Sequence, residues 1–231
     1  MSQLLQKGEI VVEGRLVDAS NATLFVTISD GVDSTKAIYK PVAGERPLWD
    51  FPDGNLANRE RAAFIIDQAL GFDHVPHTIL REGPFGIGMV QQWIDIDESV
   101  DLEVFFRLND RQLREVALFD AVINNTDRKI GHLIPEAGGH LFICDHGVTF
   151  HTEDKLRTVL WQWAGEELTL KEIASLKALQ DFLHSDGAIE LKELLTVIEL
   201  SALSSRIERL IGSGRFPGPN PEWPHIPWPP F

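Results

Sequence analysis

The amino-acid sequence predicts an α+β fold in two lobes, with an antiparallel sheet and one helix first and a mainly helical half after it. Segments of β-forming residues, separated by turn residues, lie on either side of one helix in the first 94 positions. Amphipathic helical patterns dominate from residue 109 onward. The acidic stretch 95–101 separates the two halves and is predicted to be a solvated linker. We therefore divide the chain into a first lobe (1–94), a second lobe (95–214) and a tail (215–231) that holds seven of the 13 prolines.

The first lobe is predicted to contain a three-stranded meander, one helix and a hairpin. Turn residues delimit the strands, which we place at 10–17, 24–28, 36–39, 77–81 and 88–94. The helix begins at Asn55 or Asn58, either of which could cap it, and its apolar residues keep helical spacing as far as Leu70. Gly71 follows in the position where a left-handed residue ends many helices.

The second lobe is predicted to be helical with one small hairpin. Its helices are placed from Asn109 or Asp110 to 123 and at 154–163, 168–183 and 188–211, and the hairpin strands at 131–134 and 140–144. Proline excludes the tail from helices and from central strands. We expect the tail to be an extended, polyproline-type segment that is docked through Trp223 and Trp228 or partly mobile.

Charge and composition exclude several classes of function. Lysine and arginine total 21 against 35 acidic residues, and the resulting net charge of −14 would repel phosphate backbones and anionic lipids. We therefore expect no nucleic-acid partner and no stable membrane association. The chain also has no apolar run near the roughly 20 residues that span a bilayer. Its one cysteine, Cys144, excludes an intramolecular disulfide, and the expected setting is the cytoplasm.

Three places along the chain carry residues suited to phosphoryl transfer. They are Lys40 after the third strand, the segment 124–132 after a helix, and Cys144-Asp-His-Gly147 after a short strand. Each alone has an ordinary explanation as a surface charge or a turn. With Glu60 in the first helix they follow the chain order of a kinase, which needs a lysine for phosphates and a carboxylate to hold that lysine. A kinase also needs one aspartate for the acceptor hydroxyl and another for Mg²⁺.

These blocks resemble the phosphatidylinositol 3-/4-kinase superfamily, most closely the type II phosphatidylinositol 4-kinase branch and a bacterial kinase-like family. The residues that carry the resemblance are Tyr39-Lys-Pro41, the stretch from Asn58 to Gly71, Val75-Pro-His-Thr78, the stretch from Leu118 to Arg128, and Ile143-Cys-Asp-His-Gly147. The resemblance implies a two-lobed protein-kinase-like fold. It also implies an ATP- and Mg²⁺-dependent phosphotransferase that moves the γ-phosphoryl group to a hydroxyl of a protein or a small polar molecule.

The resemblance assigns roles to particular residues. Lys40 is similar to the phosphate-contacting lysine and Glu60 to its partner. Asp127 is similar to the catalytic aspartate, and Arg128 beside it is grouped with the catalytic residues. Asp145 is similar to the metal-binding aspartate. The resemblance also implies a hinge whose backbone reads the adenine edge, formed by Gln91, Gln92, Trp93 and Ile94. Ser20 and Asn21 are expected to approach the phosphates in place of a glycine-rich loop, although this loop has no glycine.

Two positions leave alternatives open. Asp120 matches a family aspartate, but a structural role beside the catalytic loop is at least as well supported. His132 stands where the family has an asparagine ligand for a second Mg²⁺, and imidazole is a poor ligand for that ion. The second metal site is then absent, uses another metal, or leaves His132 to contact substrate. A catalytically inactive nucleotide-binding pseudokinase or regulatory module is therefore one alternative function, and an adenylyltransferase on the same fold is another.

The acceptor is expected to approach the segment 148–158. Two cations and two carboxylates balance there, namely Lys155, Arg157, Glu153 and Asp154. A phosphoinositide headgroup would need an excess of positive charge, so we favour a protein serine or threonine or a small polar metabolite as acceptor. His146 and His151 flank this segment and are expected to approach the substrate.

Overall fold

The structure is a computed structural model that describes residues 2–16 and 21–231, and it confirms the two-lobed α+β fold. In the first lobe a short helix, α1 (Ser2–Lys7), precedes a five-stranded antiparallel sheet. The strands are β1 (Glu9–Arg15), β2 (Leu24–Ser29), β3 (Ser34–Pro41), β4 (Thr78–Gly83) and β5 (Gly86–Gln92), and they pair in the order β1-β2-β3-β5-β4. The predicted meander and hairpin are thus confirmed.

The sheet has an apolar core of its own. Residues of β2 alternate in burial, as expected for a strand with one covered face. Helix α1, which the sequence analysis did not predict, covers this face with Leu5, a completely buried side chain. Six residues are too few for a helical period to show in a sequence, and such a short helix is held by packing.

Helix α2 (Leu56–Leu70) confirms the predicted helix and fastens the two lobes together. The Asn55 side chain caps it by accepting from the N–H of Asn58, and Gly71 ends it in the left-handed conformation. Its buried apolar residues belong to the core of the second lobe. Ion pairs join the same helix to that lobe, through Arg59 to Glu199 and through Arg61 to Glu190.

The second lobe is mainly helical, with a two-stranded hairpin. Its elements are α3 (Leu102–Phe105), α4 (Arg111–Ile123), β6 (Leu133–Pro135), β7 (Leu141–Ile143), α5 (Leu170–Leu183), α6 (Ile189–Leu194) and α7 (Val197–Ser213). Almost every residue of α4 is buried, which makes it the central helix of the lobe. Within the described ranges, no helix combines the length and the apolar character needed to cross a membrane.

Two of the predicted helices are wrong. The segment 154–163 is extended and turned, because its backbone bonds to the neighbouring loop: the N–H of Arg157 donates to the carbonyl of Asn125 at 2.9 Å. The predicted helix 188–211 is two helices, α6 and α7. The chain turns extended at Thr196 so that its hydroxyl can accept from the N–H of Glu199, and an N-cap in this conformation ends one helix and begins the next.

The pairing of β3 with β5 determines where Lys40 lies. Lys40 is opposite Met89, and the ring of the preceding Tyr39 packs across Gly88 and Gly83 of the neighbouring strands. A Cβ added at Gly88 would lie 2.6 Å from the Tyr39 ring and 2.5 Å from the carbonyl oxygen of Lys40. Position 88, on the strand next to Lys40, therefore accepts only glycine unless the backbone shifts.

The Gly88→Ala variant should lower the free energy of unfolding by about 1–3 kcal/mol, because the added methyl group overpacks the contact with Tyr39. Urea unfolding followed by far-UV circular dichroism measures the change. Gly14→Ala is the matched control, since Gly14 is also in the sheet and nothing lies within 4 Å of its added Cβ. Equal stability of the two variants would contradict this packing.

Candidate active site

The end of β3, helix α2 and the loop after β7 meet in an ion cluster of three side chains. The Lys40 ammonium donates to Glu60 Oε1 at 2.6 Å and to Asp145 Oδ1 at 3.0 Å. Burial would lower the pKa of Lys40, but the carboxylates of Asp145 and Glu60 outweigh it and raise the pKa above its usual value. The lysine is therefore charged and fixed between two anions.

Glu60 is the buried member of the cluster. Its second oxygen, Oε2, accepts the backbone N–H of His146 at 2.9 Å. Burial raises the pKa of Glu60, but the Lys40 ammonium and the contact with His146 more than offset this and lower the pKa to about 2. The carboxylate is ionised at neutral pH, which a buried acid achieves only when it is paired and hydrogen-bonded.

Asp145 is half-exposed at the cleft and has a left-handed backbone, with φ of +63°. Non-glycine residues seldom adopt this conformation, and when they do it is often at functional sites. The Lys40 ammonium holds the pKa of Asp145 far below its usual range. Its Oδ2 atom lies 3.5 Å from Nε2 of His132, so both atoms face the same space.

The loop after α4 is built on a second buried ion pair. Arg128 donates to both oxygens of Asp120 at 3.0–3.2 Å, and both side chains are completely buried. The Asn125 amide and the Thr158 hydroxyl also donate to Asp120. Arg128, which the sequence analysis grouped with the catalytic residues, is too deeply buried to touch a substrate, so it positions the loop. Asp120 has the structural role that was the alternative for it.

His146 joins the two ion pairs, a role that sequence reasoning missed. Its Nε2 accepts from Arg128 at 2.8 Å, and its Nδ1 lies 3.7 Å from Glu60 Oε2. Burial lowers the pKa of His146, so the ring is neutral and can accept from the arginine. The side chain is completely buried, which corrects the expectation that it approaches the substrate. No local pattern distinguishes such a histidine from an exposed one.

Asp127 lies at the surface of the loop, one residue before the buried Arg128. Its N–H donates to Asn125 Oδ1 at 2.9 Å, and its carboxylate is partly exposed. The Lys129 ammonium is 3.6 Å from Asp127 Oδ2. The sequence analysis did not predict this contact. The position of Lys129, two residues after Asp127, could have indicated from the sequence that the two side chains are close. Burial and the repulsion of Asp145 raise the pKa of Asp127, and Lys129 opposes the rise.

A cleft of about 550 Å³ opens between the lobes beside Lys40 and Asp145. Its volume falls within the 300–1,000 Å³ typical of ligand pockets. The floor includes Cys144, and burial raises the pKa of its thiol to about 12, so it stays protonated. Pocket-lining residues come from both lobes, and the hinge between them forms one end of the cleft.

The four predicted hinge residues differ in what their backbones can offer a ligand. The N–H groups of Gln92 and Trp93 already donate to protein carbonyls, at 2.9 and 3.1 Å. Gln91 lies within β5, which is paired on both sides, and its side-chain amide donates to Thr78. The N–H of Ile94 has no acceptor among the described residues, so Ile94 is the hinge position with a donor to spare.

The predicted phosphate loop is only partly described. Ser20 lies outside the described residues. Asn21 borders a small pocket of about 30 Å³ that Lys40, Glu60 and Asp145 also line. Its side-chain oxygen accepts the N–H of Arg46 at 2.9 Å, and this bond holds the amide beside the ion cluster.

His132 faces the cleft as a neutral ring. Burial and the charge of Arg128 lower its pKa to about 4, although Asp145 opposes the shift. Nowhere in ranges 2–16 and 21–231 do three or more histidine, cysteine or acidic side chains form a metal site. Asp145 and His132 are two donors, and Mg²⁺ is usually held by one or two carboxylates together with substrate phosphates and water. The carboxylate of Asp145 fits that pattern.

Comparisons with solved structures agree with the two-lobed fold. The chain is similar in fold to the Golgi casein kinase, with a TM-score of 0.53 and 15% identity over 95% of this chain and 78% of that one. The same kinase with Mn/ADP bound gives 0.54 and 14%, over 92% and 74%. The Helicobacter pylori proinflammatory kinase CtkA gives 0.52 and 12%, over 92% and 94%. The fold is that of a kinase-like protein.

Sequence similarity defines the family. The chain is 39% identical to protein Rv2133c of Mycobacterium tuberculosis over 263 aligned positions, which cover 99% of this chain and 94% of that protein. The chain belongs to the family of Rv2133c. No family model matches it.

Removing the buried carboxylate of the loop should be costly. Asp120→Ala leaves Arg128 buried without its partner, and we expect a loss of about 3–5 kcal/mol in the free energy of unfolding. Denaturant unfolding measures this loss. Asp181→Ala on the exposed face of α5 is the control, expected to change stability by less than about 0.5 kcal/mol. A loss below 1 kcal/mol in Asp120→Ala would show that the pair does not hold the loop.

Proposed function

We propose that this protein is an ATP-dependent phosphotransferase that transfers the γ-phosphoryl group to a hydroxyl of a protein or a small polar molecule. The observation that carries the proposal is the ion cluster of Lys40, Glu60 and Asp145 at the cleft, with Asp127 partly exposed on the adjoining loop. A closer relation to phosphatidylinositol 3-/4-kinases and a cytoplasmic setting are parts of the same proposal.

The nucleotide would be bound by residues of the cleft. Lys40 contacts the α- and β-phosphates, and Glu60 keeps the ammonium aimed at them. The N–H of Ile94 donates to the adenine edge, and Asn21 approaches the phosphates from the first lobe. Metal dependence is supported by the neighbouring fold that was solved with Mn/ADP.

The metal would be held by Asp145, with His132 as the second side chain facing the same space. When bound, Mg²⁺ neutralises charge that develops on the transferred group. Asp127 accepts the proton of the acceptor hydroxyl while the hydroxyl oxygen attacks the γ-phosphorus. Lys129 lies beside this carboxylate and is placed to balance negative charge at the same point.

The segment 148–158 supports a peptide or small-molecule acceptor over a phosphoinositide. Lys155 is only 6% exposed, and its ammonium lies 3.1 Å from His151 Nε2 and 4.9 Å from the centre of the Trp223 ring. Its neighbour Asp154 is paired with Arg209 at 2.8 Å. Lys155, one of the two cations of this segment, is thus engaged within the protein and is not free to bind an anionic headgroup.

Incubation with labelled ATP and a degenerate serine/threonine peptide pool tests the proposal. We expect ADP and phosphopeptide as products, and Asp127→Ala should reduce turnover at least 100-fold, the lower end of general-base effects, without loss of nucleotide binding. Calorimetry should show metal-dependent ATP binding that is weakened in Asp145→Asn.

The same assay separates the alternatives. Asp181→Ala, on the far exposed surface, is the control and should keep full turnover. AMP and pyrophosphate as products would contradict γ-phosphoryl transfer and favour an adenylyltransferase. Metal-dependent ATP binding without turnover on any acceptor would identify a pseudokinase.

The Lys129→Met variant should move the acid limb of the pH–rate profile to higher pH. Asp127 acts as a base only when ionised, so activity is lost as the pH falls through its pKa. Burial has already raised that pKa, and removal of the Lys129 ammonium raises it further. The dependence of kcat/KM on pH measures the limb. Lys36→Met, on the exposed side of β3, is the control; an acid limb that stays in place in Lys129→Met would exclude this coupling.

A further inference from the structure

The end of the chain, residues 220–231, lies across the loop that carries Asp127 and across the segment 148–158. We call it the strap. Its backbone accepts hydrogen bonds from both: Pro230 accepts the N–H of Ile130 at 2.8 Å, and His225 accepts the N–H of Thr158 at 3.1 Å. Proteins commonly bind extended peptide ligands through main-chain hydrogen bonds of this kind.

Side-chain contacts also hold the strap against the second lobe. The Trp161 indole N–H donates to the carbonyl of His225 at 2.9 Å, and the Trp223 ring covers the Lys155 ammonium. The Phe231 ring packs on the backbone of Gly131, where an added Cβ would lie 3.7 Å away. The expected docking through Trp223 is therefore seen, whereas Trp228 is 85% exposed and contributes little.

Both attachment points are close to Asp127, one along the chain and the other through a β-bridge. Ile130 follows Asp127 by three residues, and Thr158 forms a parallel bridge with Arg128, the next residue after it. The nucleotide cleft lies on the side of Lys40 and Asp145. The strap is bonded to the loop that carries Asp127 and to the segment bridged to that loop, and we infer that an acceptor hydroxyl reaches Asp127 across the same face.

The strap also lacks the group that a kinase modifies. Residues 216–231 contain no serine, threonine or tyrosine, although serines are frequent just before them. A peptide held beside the catalytic aspartate without a hydroxyl can occupy the acceptor position but cannot accept a phosphoryl group.

We propose that the face formed by the loop 124–132 and the segment 148–158 is an acceptor surface for extended peptides, and that the strap occupies it in place of substrate. This inference rests on the proposed function and narrows its acceptor to a hydroxyl-bearing protein segment. Such a segment exchanges with the strap, forming the same two backbone bonds to Ile130 and Thr158. The strap thereby lowers activity until an acceptor displaces it.

A serine introduced into the strap tests this directly. The wild-type strap cannot react, but a serine near Asp127 would attack the γ-phosphorus: the Oγ–P bond forms, the bond from the γ-phosphorus to the β-phosphate oxygen breaks, the hydroxyl proton goes to Asp127, and ADP leaves. Single substitutions Trp228→Ser, Pro229→Ser, Pro230→Ser and Phe231→Ser place the hydroxyl at successive positions.

We expect at least one of these variants to phosphorylate its own new serine, detected by mass spectrometry. The rate should be independent of protein concentration, because the acceptor is held in the same chain, and should exceed that of a remote serine at least about tenfold. Val32→Ser, at a turn position that is 91% exposed, is the matched remote control. Adding Asp127→Ala to a reactive variant should abolish the reaction.

A second measurement covers the case in which a substitution disturbs the strap. A synthetic peptide of residues 219–231 should inhibit phosphorylation of the degenerate peptide pool competitively, without competing with ATP. If the wild type modifies the pool while no strap serine reacts and the peptide does not inhibit, the strap is structural; the inference then fails and the proposed function stands. If nothing is phosphorylated although ATP binds, the proposed function fails and the inference fails with it.

Discussion

The carboxylate of Glu60 is the constraint on which the rest of the site depends. A buried anion must be paired, and here the Lys40 ammonium takes one oxygen and the N–H of His146 takes the other. His146 in turn accepts from Arg128, whose guanidinium is held by Asp120. A continuous polar chain therefore runs from the sheet through α2 to the loop that carries the candidate base. Loss of any member leaves a buried charge or donor without its partner, so the geometry of the cleft is maintained cooperatively.

Helix α2 fixes the position of Glu60 relative to the second lobe. Its apolar side lies in the core of the second lobe, and Arg59 is buried in a pair with Glu199. To separate Lys40 from Glu60 by moving the helix, the protein would have to expose that core and break the pair. The side of the site that we propose binds the nucleotide is thus preformed. In the proposed mechanism, control falls instead to the acceptor side, where the contacts of the strap are backbone hydrogen bonds and surface packing that cost less to exchange.

The sequence predicted the parts of the site that depend on local order along the chain. Lys40, Asp127 and Asp145 lie at or just after the ends of predicted elements, and Glu60 lies near the start of a predicted helix. The structure brings Lys40, Glu60 and Asp145 into contact. The features that the sequence did not predict depend on contacts between residues far apart along the chain. The segment 154–163 has apolar residues at helical spacing, but its backbone bonds to the loop beside it, and tertiary contacts override propensity. The burial of His146 and the path of the strap have no local signal at all.

The charges of the site also restrict its ligands. Lys40 is shared between two carboxylates, and the Lys129 ammonium lies against Asp127, so the side chains of the site bring little net positive charge. The protein around them carries a net charge of −14. A triphosphate that enters the cleft would therefore need its own counter-ion, since both lysines of the site are already paired with carboxylates. An acceptor with further phosphates would meet the same deficit without such an ion, whereas a neutral hydroxyl on a peptide meets none. The electrostatics and the backbone contacts of the strap thus favour the same class of acceptor.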